Sequence, residues 1–437
     1  VATPPRRLAF AIVRDVGHGP PLADRLASAE VEALPPSDRA FLHELVLGVL
    51  RRRGGLDHVL SALVDRPFAD LSPDVLAVLR LGAYQALFLR VPDHATVSES
   101  VALAKLVRPQ AAGFVNAVLR RLVREGPRAE PDPAKDPRAW LITAGSLPRW
   151  LADRWLARLG PTDAVARARA FLEPPPTFFR LNPRRAEAAR SALVASGIEA
   201  RPADVPGAWR LLSGRLTDLA RDGLVYVQDQ ASQLVARLAS TEGRILDACA
   251  APGGKSLLLS DAVGAGRVVG GELSPRRLQT LASLRALWGA TALDLVRADA
   301  ARPPFRAAFD SILLDAPCSG LGTLARHPDI RWRLQEADLP RQASRQLDLL
   351  AALAPLLEPG GRLVYATCSL EEEENEGVLA AFLAAAPEFR AASLPAWAQA
   401  YAAGPFLRVR PEAQPGDGFF AAVVERRGTA APAVVVG

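Results

Sequence analysis

Through residues 1 to about 125, apolar side chains recur at i, i+3 and i+4. The blocks fall at 7–16, 37–53, 56–63, 73–89, 96–108 and 113–125. That period puts them on one face of successive α-helices, so it predicts a small all-α bundle. Residues 126–138, GPRAEPDPAKDPR, hold four prolines and mixed charge and read as a linker. From 139 to 238 the pattern is mixed. Helical stretches at 140–159, 186–196 and 229–238 alternate with strand-like runs at 177–182, 209–212 and 224–227, which suits a small α+β module. From 244 onward short apolar runs (244–248, 267–273, 294–297, 309–315, 362–367) alternate with helical ones near 255–263, 275–288, 340–357 and 374–386. This is the signature of a mostly parallel α/β sheet with helices on both faces. The stretch FLRVRPEAQPGDGFFAAVVERR, 406–427, predicts two further strands as an antiparallel edge pair. The expected domains are 1–125, 139–238 and 239–430.

Composition narrows the class. A chain of 437 residues with 49% hydrophobic residues can fill several cores. No apolar run approaches the roughly 18–20 residues of a membrane span, and VATPPRRLAFAIVRD lacks the apolar region of a signal peptide. A cytoplasmic protein is expected. The net charge of +6 points weakly to a polyanionic partner. Most basic charge is Arg, in clusters at 51–53 and 120–124 that suit either a solvated helix face or RNA phosphates. Phe178, Phe179 and Arg180 could stack on bases or pack in a core. Only Lys105, Lys135 and Lys255 are lysines, so an ammonium at 255 stands out. The three cysteines, Cys249, Cys318 and Cys368, are too few and too odd in number for a disulfide framework. No Cys/His spacing suggests a metal.

The chemistry gathers around ILDACAAPGGKS, 245–256. A strand ends at Asp247, seven small residues follow, and a helix begins at Lys255 or Ser256. This is the nucleotide-cofactor corner of a doubly wound domain. A phosphate-binding loop would need glycine where Cys249 stands, and G-x-G-x-x-G is absent, so an adenosine-type cofactor without a phosphate chain remains. Other strand ends supply Glu272, placed for ribose hydroxyls, and Asp299, placed for an adenine amino group. The ends also carry Asp315 with Cys318 (DAPCSGLGT) and Cys368 (ATCSLEEEENE). Ser369 and Glu372 have capping-box spacing, which would set Cys368 ahead of a helix N-terminus and favour its thiolate, against the acidic run that follows. Two thiols beside a cofactor loop suggest covalent catalysis; a disulfide is the rival reading.

DACAAPGGKS, DAPCSGLGT and ATCSLEEEENE together resemble the cofactor loop and two cysteine motifs of S-adenosylmethionine-dependent RNA (cytosine-5)-methyltransferases. VQDQAS (227–232), ARHPDIRW (325–332) and DGFF (417–420) match as well. With a leading helical domain similar to the antitermination factor NusB, the chain resembles the ribosomal RNA small subunit methyltransferase B (Sun/Fmu) family. The resemblance implies a class I Rossmann-like methyltransferase domain. It implies S-adenosyl-L-methionine held by Cys249, Ala250, Ala251, Pro252, Gly253, Gly254, Lys255, Glu272, Asp299 and Asp315. It implies a monomer acting on small-subunit ribosomal RNA, with no metal and no membrane. Cys368 would attack C6 of a cytosine, Asp315 would hold the N3/N4 edge, Lys255 would sit near thiolate and base, and Cys318 would help release the product. Glu272 stands where the family often has Asp. Other methyl acceptors (transfer RNA, DNA, protein) and a non-catalytic ribosome assembly factor are the alternatives; the retained glycine loop and Cys368 argue against the last.

Overall fold

A computed structural model of the chain describes residues 2–306 and 309–428. They divide into two compact units. One holds the chain through Pro174 together with Thr323–Glu336; the other holds Pro175–Gly322 and the described residues from Ala337.

The first unit is helical. Pro4–Arg14, Pro36–Ser61 and Pro73–Phe88 each start with proline in the first turn, where the missing N–H costs no hydrogen bond. Asp93–Val107 and Ala112–Glu125 follow. Their apolar faces share one core with Leu42, Leu45, Val49, Leu79 and Leu119. The blocks at 37–53 and 56–63 join into one helix through Gly54-Gly55. Gly54 is there for space: a Cβ would lie 2.3 Å from the Ile142 carbonyl oxygen and 2.8 Å from that of Thr143. The single helix expected at 140–159 is instead two, Pro137–Ile142 and a second that starts at Arg149 and breaks at Gly160, whose φ is 74°, ahead of Pro161; a further helical stretch then runs to Ala170. A turn separates the first two in which Ser146 has a positive φ of 55° and accepts a 2.9 Å hydrogen bond from Gly54 N. Two short helices, Leu22–Leu26 and Ala29–Glu32, carry too little periodicity to have been foreseen.

Thr323–Glu336, which includes ARHPDIRW, is bound into this helical unit chiefly through Arg331, with Trp332 Nε1 donating to the Leu50 carbonyl at 2.7 Å. Arg331 is 0% exposed. Its guanidinium donates to the carbonyls of Arg51 (3.4 Å), Ser146 (3.2 Å), Phe171 (3.4 Å) and Leu324 (3.2 Å). Burial, then the nearby Arg51, lowers its pKa to about 9. Arg51 itself is buried and donates to the Ala325 carbonyl at 2.8 Å. Arg52 lies over Phe88 and Arg53 over Trp332. The 51–53 cluster is therefore a packing device, not a solvated basic face.

The second unit has two sheets. In the smaller, β1 (Phe178–Leu181) pairs antiparallel with β3 (Ala208–Ser213) and β4 (Val225–Val227), and β2 (Glu199–Pro202) borders β3. Phe178, Phe179 and Arg180 are all buried, which removes the base-stacking reading. Arg180 lies over Trp288 and Tyr226 and pairs with Asp261 at 2.6 Å.

The larger sheet contains β5 (Arg244–Asp247), β6 (Arg267–Glu272), β7 (Leu293–Arg297), β8 (Phe309–Asp315), β9 (Leu357–Thr367), β10 (Phe389–Ala392), β11 (Ala402–Ala403), β12 (Phe406–Val409) and β13 (Phe419–Arg426). The order β9-β8-β5-β6-β7 is parallel throughout. Both faces are covered: Ile245, Leu313 and Val364 enter one core, Leu246, Ile312 and Leu363 the other. The strand order reverses between β5 and β8, which opens a crevice at their C-terminal ends. β13 is not an edge strand as expected. It runs antiparallel to β9 and also pairs with β12 and β10, so it lies inside the sheet. Its first six residues are all buried, and its backbone is paired on both sides.

Candidate active site

Asp247 ends β5 at the bottom of the crevice and is 1% exposed. The Ser256 hydroxyl, from the first turn of the helix Gly254–Ala262, donates to it at 2.6 Å. Burial pushes the Asp247 carboxyl up to about 6, with that hydrogen bond acting in opposition. The small-residue run then turns through Gly253, whose φ is 123°. A Cβ on Gly253 would meet Leu281 Cδ1 at 2.5 Å, and one on Gly254 would meet Tyr226 Cε1 at 2.6 Å. Those two glycines face protein, and Ala250 is buried in the core. Pro252 is exposed.

A cavity of about 280 Å³ opens at the strand ends. Of the expected residues, Cys249, Ala251, Glu272, Asp299, Asp315, Cys318 and Cys368 line it. Its apolar wall is supplied by Leu273, Ala298, Ala300 and Leu349. Glu272 is buried yet paired with Arg277 at 2.8 Å and accepts from Ser274 N at 2.8 Å. Asp299 takes the Ala301 N–H at 2.9 Å. A carboxylate at each of two successive strand ends, with an apolar slot between, suits a ligand bearing both hydroxyls and a flat ring. The volume lies near the lower end, about 300 Å³, of small-molecule pockets.

Lys255 meets Asp315 at 2.7 Å, and its ammonium lies 5.2 Å from the centre of the Phe419 ring. Burial alone would lower the Lys255 pKa. The charge of Asp315 and its hydrogen bond, with Asp247 and Cys368 adding, outweigh it and raise the pKa. The two thiols converge: Cys318 Sγ and Cys368 Sγ are 3.3 Å apart, both free. That hydrogen bond and burial push the Cys318 thiol well up. Burial holds the Cys249 thiol up at about 12, so it stays protonated at neutral pH.

The capping box did not form. Glu372–Glu374 is a short 3₁₀ turn and the α-helix begins at Glu376. Ser369 Oγ turns instead to Glu374 Oε2, at 2.5 Å. Glu374 was not singled out among the acids of 371–374; its position next to the thiol loops depends on a turn that no periodicity announces. Phe419 arrives with β13, and the turn before β13 is held from VQDQAS. Asp229 accepts from Asp417 N at 3.2 Å and Gln230 Nε2 donates to the Pro415 carbonyl at 2.6 Å.

Among the described residues no group of His, Cys, Asp and Glu could hold a metal, and no helix is long and apolar enough to cross a membrane. The helical unit has its own groove of about 1050 Å³, lined in part by His94, Lys105, Asn116, Arg120 and Arg124. It is the larger opening but holds neither thiol nor paired acids, so the chemistry is placed in the crevice.

Residues 3–124 match the NusB family, and residues 235–425 match the family described as 16S rRNA methyltransferase RsmB/F. The ribosomal RNA small subunit methyltransferase B of Thermus thermophilus is 40% identical, over 88% of this chain and 89% of that one. A probable ribosomal RNA small subunit methyltransferase B of Bacillus subtilis is 34% identical, over 90% of this chain and 92% of its own length. The solved structure of PH0851 shares the fold, with a TM-score of 0.77 and 23% identity, covering 98% of this chain and all of that one. At these identities over nearly the whole length, the chain belongs to the ribosomal RNA small subunit methyltransferase B family of S-adenosylmethionine-dependent enzymes.

Proposed function

We propose that the protein methylates C5 of a cytosine in small-subunit ribosomal RNA through a covalent bond between Cys368 and C6. The observation that carries this reading is the pair of free thiols, 3.3 Å apart, beside the Lys255–Asp315 ion pair at the mouth of the crevice. S-adenosyl-L-methionine supplies an electrophilic methyl group. Glu272 and Asp299 would hold its hydroxyls and amino group, Cys249 and Ala251 would border it, and Leu273 and Leu349 would flank its ring.

C5 of cytosine is a weak nucleophile. Addition of the Cys368 thiolate to C6 would make C5 enamine-like. Asp315 would hydrogen-bond the N3/N4 edge and Lys255 would offset the charge that develops. After transfer a solvent water would take the C5 proton as the C6–S bond breaks and Cys368 leaves as thiolate. Cys318, held protonated by its surroundings, stands in contact with the sulfur that departs. A base inside a duplex has to leave its stack to enter this crevice. Arg120, Arg124 and Lys105 on the helical unit would offer contacts to phosphates.

The test is tritium release from cytosine-5-labelled ribosomal RNA. Cys368→Ala is expected to abolish release, and Cys318→Ala to leave a protein–RNA adduct on a denaturing gel. Turnover retained in Cys368→Ala refutes the nucleophile assignment. Free turnover without an adduct in Cys318→Ala refutes the release role. Bisulfite mapping of ribosomal RNA from a deletion strain identifies the cytosine; an unchanged pattern there, with a change in transfer RNA, moves the substrate to transfer RNA.

A further inference from the structure

We infer that Glu374 is a positioning residue that locks the two cysteine loops to each other through one buried carboxylate. The inference rests on reading the two thiols as a working pair.

The side chain is 0% exposed. Its Oε1 accepts from Ser319 N at 2.8 Å, directly after Cys318, and from Gln346 Nε2 at 3.0 Å. Its Oε2 accepts from Ser369 Oγ at 2.5 Å, directly after Cys368. Ser319 Oγ and Ser369 Oγ meet at 3.1 Å, closing a ring of polar contacts behind the sulfurs. Gln346 also donates to the Pro317 carbonyl at 3.0 Å, on the other side of Cys318. The backbone of Glu374 is held by the Tyr365 hydroxyl, and Asn375 bonds Thr367 Oγ1 at 2.6 Å and the Ser369 carbonyl at 3.1 Å. Each thiol is thus followed directly by a serine tied to the same carboxylate.

A buried charge needs strong hydrogen bonds, and these three partners are neutral. They come from both cysteine loops and from Gln346, so the carboxylate is satisfied only when both loops are in place. That coupling is what distinguishes it from an ordinary core contact. A thiol pair at 3.3 Å tolerates little displacement: a misplacement of about 1 Å can cost on the order of 100-fold in rate. Glu374 itself lines no part of the cofactor cavity, so its loss should leave the side of that pocket formed by Glu272, Leu273 and Asp299 intact.

The test compares Glu374→Ala and Glu374→Gln in the full chain, first without RNA. Diamide takes up two protons and two electrons from the thiols and leaves a Cys318–Cys368 disulfide. The equilibrium of that bond with dithiothreitol gives the effective concentration of one thiol at the other. Glu374→Ala is expected to lower it at least tenfold. Glu374→Gln keeps the shape and can still reach Ser319 N and Ser369 Oγ, so it should stay within about threefold of the parent. In methyl transfer, Glu374→Ala should lower kcat about 100-fold with the KM for S-adenosylmethionine unchanged. An effective concentration unchanged in Glu374→Ala overturns the inference whatever the activity. If Glu374→Ala does not fold, Ser369→Ala carries the test, since it removes only the hydroxyl that reaches Oε2; an unchanged effective concentration there has the same force. A parent protein that shows the thiol effect but releases no tritium from RNA overturns the proposed function and leaves Glu374 in its role.

Discussion

Asp247 should make the stability of this protein fall as pH rises, in a range where carboxylates usually have the opposite effect. Its carboxyl is held up at about 6 against an ordinary 3.8, because burial penalises the charged form more than the Ser256 hydrogen bond repays. A native pKa above the unfolded one means that the native state keeps the proton longer. The contribution is whole below about pH 3.8 and is lost as pH rises through about 6. At about 1.4 kcal/mol per pKa unit, the total is about 3 kcal/mol, of which roughly 2.5 falls between about pH 4 and pH 7.5. Asp247→Asn cannot ionise and has no such slope. Its amide also leaves an N–H in a place where Oδ1 of Asp247 already has no partner, a cost that does not depend on pH. Urea unfolding of both proteins at several pH values separates the two effects. The stability difference, variant minus parent, should move in favour of the variant by about 2 to 3 kcal/mol from pH 4 to pH 7.5 and level off above. Parallel curves across that range would refute the argument that Asp247 is charged only at a cost.

Three other outcomes follow from the geometry. Lys255→Met removes the cation beside Cys368, so iodoacetamide should modify Cys368 more slowly near pH 7.5; an unchanged rate would separate Lys255 from the thiol. With its thiol held at about 12, Cys249 should escape alkylation at about pH 8 while Cys368 reacts, and peptide mass spectrometry that finds Cys249 modified first would contradict this. Gly54→Ala drives a methyl into the Ile142 and Thr143 carbonyls and should destabilise the helical unit by about 1–3 kcal/mol or more; an unshifted melting temperature would count against the close approach.

Much of the sheet was legible because buried parallel strands are short apolar runs with an acid or a turn at the end. Phe309–Asp315 and the helix Pro275–Trp288 fall where the pattern placed them. The cysteine motifs were legible for the same reason, since both sit at strand ends. What escaped depends on contacts remote in sequence. Gly54-Gly55 looked like a break, yet the helix runs through because another segment packs against it. Arg51 looked like surface charge, and its burial is set by carbonyls that the sequence does not mark. The glycines of the cofactor loop looked like room for a ligand; Leu281 and Tyr226 take that room. Ser369 looked like a cap, but a buried carboxylate competed for its hydroxyl. β13 looked like an edge because nothing local tells an edge strand from an inserted one.

The place of β13 sets an order of events during synthesis. A ribosome delivers Cys318 and Cys368 well before Phe419. Until β13 emerges, β9 exposes an open side, β10 has no strand to join and β12 has only the two-residue β11. Gly322 donates to the Cys368 carbonyl and accepts from Gly418 N, so the loop after Cys318 is pinned on its second side only when Gly418 arrives. Phe419 then covers Lys255. A nascent chain stalled before this point carries both thiols but not the fixed pair. The contacts around the thiol pair are therefore completed by the last strand of the sheet in chain order, after the helical unit's own helices through Ala170 have been made.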